Sequence, residues 1–210
     1  MCGIQTRWKQ SFYGDVEPIK LREPLAEFLG AIDEGEEFIF TYQDAVKLAG
    51  HSCPAVSGAY KVTQKALKAL YKDQVPVRGE ISVKVLGNVD NGANGPISQV
   101  ISLITGAAPE TGFAGLGERF ARKGKLIFDE ANEEPSAFIF TRDDNKKSVK
   151  VTYHPESLPQ SENMHALFTK CIVGTATKKQ EEDFKRMWQE RVKAVLFEEA
   201  KGLFKVQELN

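Results

Sequence analysis

The chain has 210 residues, 41% of them hydrophobic, with 28 Lys and Arg against 29 Asp and Glu for a formal net charge of −1. That length and balance suit one globular domain with extensions, and they offer no long-range attraction to nucleic acid or to an anionic membrane. No apolar run approaches the ~20 residues needed to cross a bilayer.

The opening MCGIQTRWKQ lacks the apolar middle of a secretory signal, so the cytoplasm is the expected compartment. Cys2, Cys53 and Cys171 are odd in number and far apart, which reads as reduced thiols rather than a disulfide framework.

Residues 11–24, SFYGDVEPIKLREP, are broken by Gly14, Pro18 and Pro24 and read as an extended leader lying on the body. A short helix is predicted over 24–32, opened by proline at a favourable first position. After the acidic turn DEGEE, Thr41 is placed to cap the helix YQDAVKLAG, which Gly50 would end. The next helix starts at Pro54 and runs to about Lys72, with Ala55, Ala59, Val62, Ala66, Leu67 and Leu70 recurring at spacings of three and four.

VRGEISVKVLG alternates as a strand, and Gly92, Gly95 and Pro96 mark a turn into the helix PISQVISLIT. A loose glycine-rich segment, 106–124, follows. It carries Arg119, Arg122, Lys123 and Lys125 and reads either as a lid or dimer loop or as a plain solvated loop. The runs KLIF, SAFIFT and SVKVTY then predict three short strands in a meander.

In the C-terminal part, Thr177 and Gln180 fit a capping box, and Phe184, Trp188, Val192 and Val195 line one helical stripe. The expected division is an N-terminal extension over 1–40, an α+β domain over 41–155 and a C-terminal helical extension over 156–210. Helices should collect on one face of a mostly antiparallel sheet.

The chemistry concentrates in GHSCP, residues 50–54. Pro54 at the first helical position makes Cys53 the N-cap, where the helix end favours a thiolate. His51, two residues earlier in extended backbone, would face the same side, and zinc accepts that N/S pair. Zinc requires three or four protein ligands, and neither C-x-x-C nor H-x-x-x-H occurs to complete the set locally. Distant donors are His154, Cys171 and Asp90, of which His154 and Cys171 are the softer, with His154 placed slightly ahead. The bland alternative is a buried small Cys beside a hydrogen-bonded His.

The segment GHSCPAVSGAYKVTQKALKAL resembles the G-H-x-C-P motif of the formylmethanofuran dehydrogenase E-subunit-like family. ISQVISLITG is similar to that family's second helix, and RKGKLIFDEANEEPSAFIF to its following strands, so the likeness covers roughly 41–155. The resemblance implies a helix–strand–helix–three-strand core, metal bound at His51 and Cys53, and a homodimer. It also implies that Gln99 and Thr105 lie near a ligand. The chain departs from the family at Ala93, where many members carry a Cys, and in lacking their C-terminal four-cysteine zinc ribbon.

With that thiolate missing, the expected site is an open one for zinc or, alternatively, iron. It would leave a position for a small anionic ligand beside the turn DNGANG, where Asp90 and an Asn94 cap stand near free backbone N–H groups. Two other functions are carried forward: a metal-independent thiol enzyme using Cys53 with His51 as base, and a non-catalytic accessory or sensing module. MCGI also resembles the start of class II glutamine amidotransferases, but none of that family's later motifs follow, and Cys2 is taken as incidental.

Overall fold

The computed structural model describes residues 6–117, 119–159 and 161–209; Cys2 lies outside them. Its centre is a five-stranded mixed sheet: β3 (Ile81–Leu86), β4 (Leu126–Asp129), β5 (Ala137–Arg142), β6 (Ser148–Tyr153) and β7 (Phe204–Leu209), in the order β4-β3-β5-β6-β7. Every neighbouring pair is antiparallel except β3 and β4. Strict alternation sends Ile81, Val83 and Val85 to one face, opposite Phe138 and Phe140 and then Val149 and Val151. The other face carries Lys84 paired with Asp129 and Lys150 paired with Glu134.

Against the apolar face lie α3 (Pro54–Tyr71) and α4 (Asn94–Thr105), and α6 (Lys178–Leu196) packs on α3. The periodic residues Ala59, Val62, Ala66 and Leu67 of α3 are all buried. Gly58 is what lets α3 close on β6: a Cβ there would meet the Tyr153 ring at 2.4 Å. The fold is therefore α+β, as the order of patterns implies.

The three strands are not a simple meander. β4 runs parallel to β3 on its outer side, pairing Val83 with Leu126, while β5 takes the inner side. Parallel pairing needs a long crossover, and α4 with the segment 106–124 provides it. That segment is pinned rather than open. Ala108 N–H donates to the Arg122 carbonyl and Arg122 N–H to that of Phe113. The Arg122 side chain is buried and donates to Glu23, which also accepts from Arg78 at 2.6 Å.

The leader holds a strand of its own. β1 (Ile19–Arg22) pairs antiparallel with β2 (Glu37–Phe40) around α1 (Pro24–Phe28). Thr41 opens α2 (Tyr42–Ala49), its N–H and hydroxyl both donating to Asp44 at 2.8 Å, and Gly50 ends it in the left-handed region at φ 72°. In the C-terminal part, α5 (Glu162–Ile172) packs on α6, whose capping box at Thr177 and Gln180 is formed. The chain then returns to the sheet as β7, setting Phe204 against Tyr153 and Val206 against Val151. No helix among the described residues is long and apolar enough to cross a membrane.

Candidate metal centre

Cys53 is the N-cap of α3, at φ −148° and ψ 169°, with Pro54 next, and its thiol makes no capping hydrogen bond. It is half-buried. Burial pushes the hydroxyls of Tyr42 and Tyr153 well above the ordinary phenol range.

His51 is exposed, and its Nδ1 lies 2.9 Å from the Ala49 carbonyl oxygen. A carbonyl only accepts, so Nδ1 carries the proton and Nε2 keeps its lone pair. A histidine whose second ring nitrogen donates to a backbone carbonyl has the orientation that metal-ligating imidazoles use.

Ser52, between the two, is held from both sides. Its hydroxyl bonds that of buried Tyr42 at 2.7 Å, and its carbonyl accepts from Trp188 Nε1 at 2.9 Å. Tyr42 opens α2 and Trp188 belongs to α6, so two other helices hold GHSCP at the start of α3. Neither residue stands out in the motif itself. The only sign of Trp188 is its place on the apolar stripe of α6, and of Tyr42 its position just after a cap.

His154 directly follows β6, half-exposed, with Nδ1 2.8 Å from the Glu156 carboxylate. That carboxyl is held below its usual value by its own backbone N–H and by His154, so it is the acceptor and Nδ1 the donor, which leaves Nε2 as the ring nitrogen not engaged by Glu156. The Tyr153 hydroxyl donates to the Pro54 carbonyl at 3.1 Å, tying the end of β6 to the start of α3. Cys171 is half-buried on α5, in the layer beyond α6.

The donor chemistry of His51, Cys53 and His154, two imidazoles and a thiol, fits a transition metal such as zinc. Among the described residues, however, no three His, Cys, Asp or Glu side chains gather closely enough to hold an ion.

The turn after β3 forms a separate cleft of about 310 Å³, lined by Asp90, Asn94, Glu133 and Ser136. Asp90 is exposed there. Asn94 does not cap α4. It is the first helical residue after Ala93, buried, and its Nδ2 donates to the Asn88 carbonyl at 3.0 Å, because closing the turn uses the amide. Gln99 is exposed on α4, and Thr105 is buried at its end, donating to Ile101 and accepting from Ala107 N–H. Neither of these two lines the cleft. The structure thus joins Asp90 and Asn94 at one hollow and leaves Gln99 and Thr105 outside it.

No curated protein matches the chain. A family model described as "FmdE, Molybdenum formylmethanofuran dehydrogenase operon" matches residues 48–205. The match starts just before GHSCP and runs on through α6 into β7, well beyond the motifs that carry the resemblance in sequence.

Proposed function

Because the chain belongs to the FmdE family, we propose that it is a cytoplasmic metal-binding protein whose transition-metal site is built on His51 and Cys53. The observation that carries this reading is the hydrogen bond from His51 Nδ1 to the Ala49 carbonyl, which leaves Nε2 for a metal two residues from an N-cap thiol with no other bond. His154, held at Nδ1 by Glu156, is the third donor, which an ion would have to draw in, since these side chains do not gather without one. Zinc is the metal expected, with iron as the alternative, and a fourth position stays open for water or a small anion. Bound there, the ion would supply Lewis acidity to that ligand. The protein works as a homodimer, which sedimentation would show as twice the chain mass.

Metal analysis of protein purified without a histidine tag tests the reading. Wild type should carry about one equivalent of zinc or iron, and a His51→Ala, Cys53→Ala double variant almost none; equal metal in both contradicts it. A rival reading, thiol chemistry at Cys53 without metal, draws on the same helix N-terminus. Iodoacetamide separates the two: labelling that rises after chelation supports the metal, and chelator-insensitive labelling supports the thiol enzyme. An accessory or sensing role for the loaded protein is compatible with the metal reading and predicts no turnover.

A further inference from the structure

A second cleft, of about 680 Å³, lies between the N-terminal segment, the α2–α3 junction and one side of α6. That volume is in the range of small-molecule sites. Its wall is aromatic: Trp8, Phe12, Tyr13, Phe184 and Trp188. These rings are fixed before any ligand arrives. Trp188 is held by the Ser52 carbonyl, and the Tyr13 hydroxyl donates to Gln189 at 2.8 Å. Tyr13 also sits edge-on to Trp8, Phe12 and Tyr42 at centroid distances of 5.6, 5.0 and 5.2 Å.

Around these rings stand four cations, Lys9, Lys185, Arg186 and Lys193, against two carboxylates, Glu182 and Glu190. Arg186 is spent on Glu190 and Asp183. Among the described residues Lys9 and Lys193 make no salt bridge, and both are exposed.

We propose that this cleft binds a small planar aromatic acid, its ring against the tryptophan-rich wall and its acid group on Lys9 and Lys193. Preordered rings give contact area at little entropic cost, and exposed ammonium groups at the rim select charge. A neutral apolar ligand would leave the cations unused, and a non-aromatic acid would leave the wall unused. The wall is built without His51 or Cys53, so the inference stands or falls apart from the metal reading. His51 does line the cleft, so an occupant would lie beside the proposed metal ligand.

Both tryptophans of the chain line this cleft, and intrinsic fluorescence therefore reports its occupancy. The test titrates chelator-treated protein with 2-naphthoate, 2-naphthamide and cyclohexanecarboxylate, by tryptophan fluorescence and by calorimetry. Saturable one-to-one binding of 2-naphthoate is expected, at least tenfold tighter than either analogue. It should weaken tenfold or more in Lys9→Glu, Lys193→Glu protein, with Lys9→Gln, Lys193→Gln used if charge reversal unfolds the chain.

Trp188 also borders a smaller hollow with Met164, His165 and Phe168, so His165→Ser, at an exposed residue of that hollow and expected to leave the affinity unchanged, is the control. Absence of saturable binding overturns the proposal. So does equal affinity for the amide, indifference to the lysine changes, or loss of binding in His165→Ser.

Discussion

Ser52 is the residue on which the site's backbone turns, although it is neither a donor in the proposed metal set nor a motif letter of chemical interest. Its hydroxyl meets that of Tyr42, which is fully buried. Ser52→Ala would leave the Tyr42 hydroxyl without this partner in a dry environment, and an unmade buried hydrogen bond costs about 1–3 kcal/mol. Urea melts should show that loss, with Tyr42→Phe in the same chain restoring most of it; a single variant as stable as wild type would mean the clamp is not structural. GHSCP displays His51 and Cys53 plainly, because a cysteine before a helix-opening proline is a local pattern. The groups that hold Ser52 come from residues 42 and 188 and leave no local pattern, so the proposed donors stand out in the sequence and the residues that support them do not.

At the scale of elements, the contact between α3 and β6 depends on a missing side chain. Gly58→Ala keeps an ordinary helical backbone, but its methyl would meet the Tyr153 ring at 2.4 Å. Overpacking of this kind costs about 1–3 kcal/mol, and because the Tyr153 hydroxyl ties β6 to Pro54, metal affinity should fall with stability. An unaltered melting temperature would contradict this account of the packing.

A second joint links α3 to the turn after α6, where Glu198 takes Lys61 at 3.1 Å and Lys65 at 2.7 Å. Burial pushes the Glu198 carboxyl up, but the two lysines outweigh it and hold it below the ordinary value. A carboxyl depressed in the folded state stabilises above its unfolded pKa of about 4.3, and that contribution is lost as pH falls through the folded value. Glu198→Gln should therefore be less stable than wild type by about 0.2–1 kcal/mol at pH 7. The difference should shrink below about pH 4, and a gap that persists into acid would assign the effect to packing instead.

Across the whole molecule, the alternating runs of β3, β5 and β6 and the period of α3 are written in the sequence, and with them the α+β class. The pairing of β3 with β4 is not, since KLIF reads the same whether it joins β3 or β5; the crossover through α4 decides it. β7 was hidden for another reason. Only its ends, Phe204 and Leu209, are shielded, and Lys205 to Glu208 are exposed, so an edge strand with this pattern resembles a polar tail. Yet β7 stacks Phe204 on Tyr153 at 5.1 Å, bringing the C-terminal segment onto the strand that His154 follows.

The metal reading in its sharpest form is one sulfur from Cys53 and nitrogen from His51 and His154, with no ligand from Cys171. X-ray absorption on zinc-loaded protein measures the ligand set directly. The account predicts one sulfur at about 2.3 Å with the remaining ligands nitrogen or oxygen at about 2.0–2.1 Å, the sulfur vanishing in Cys53→Ser and persisting in Cys171→Ser. Two or more sulfurs, or a shell unchanged by Cys53→Ser, would contradict it.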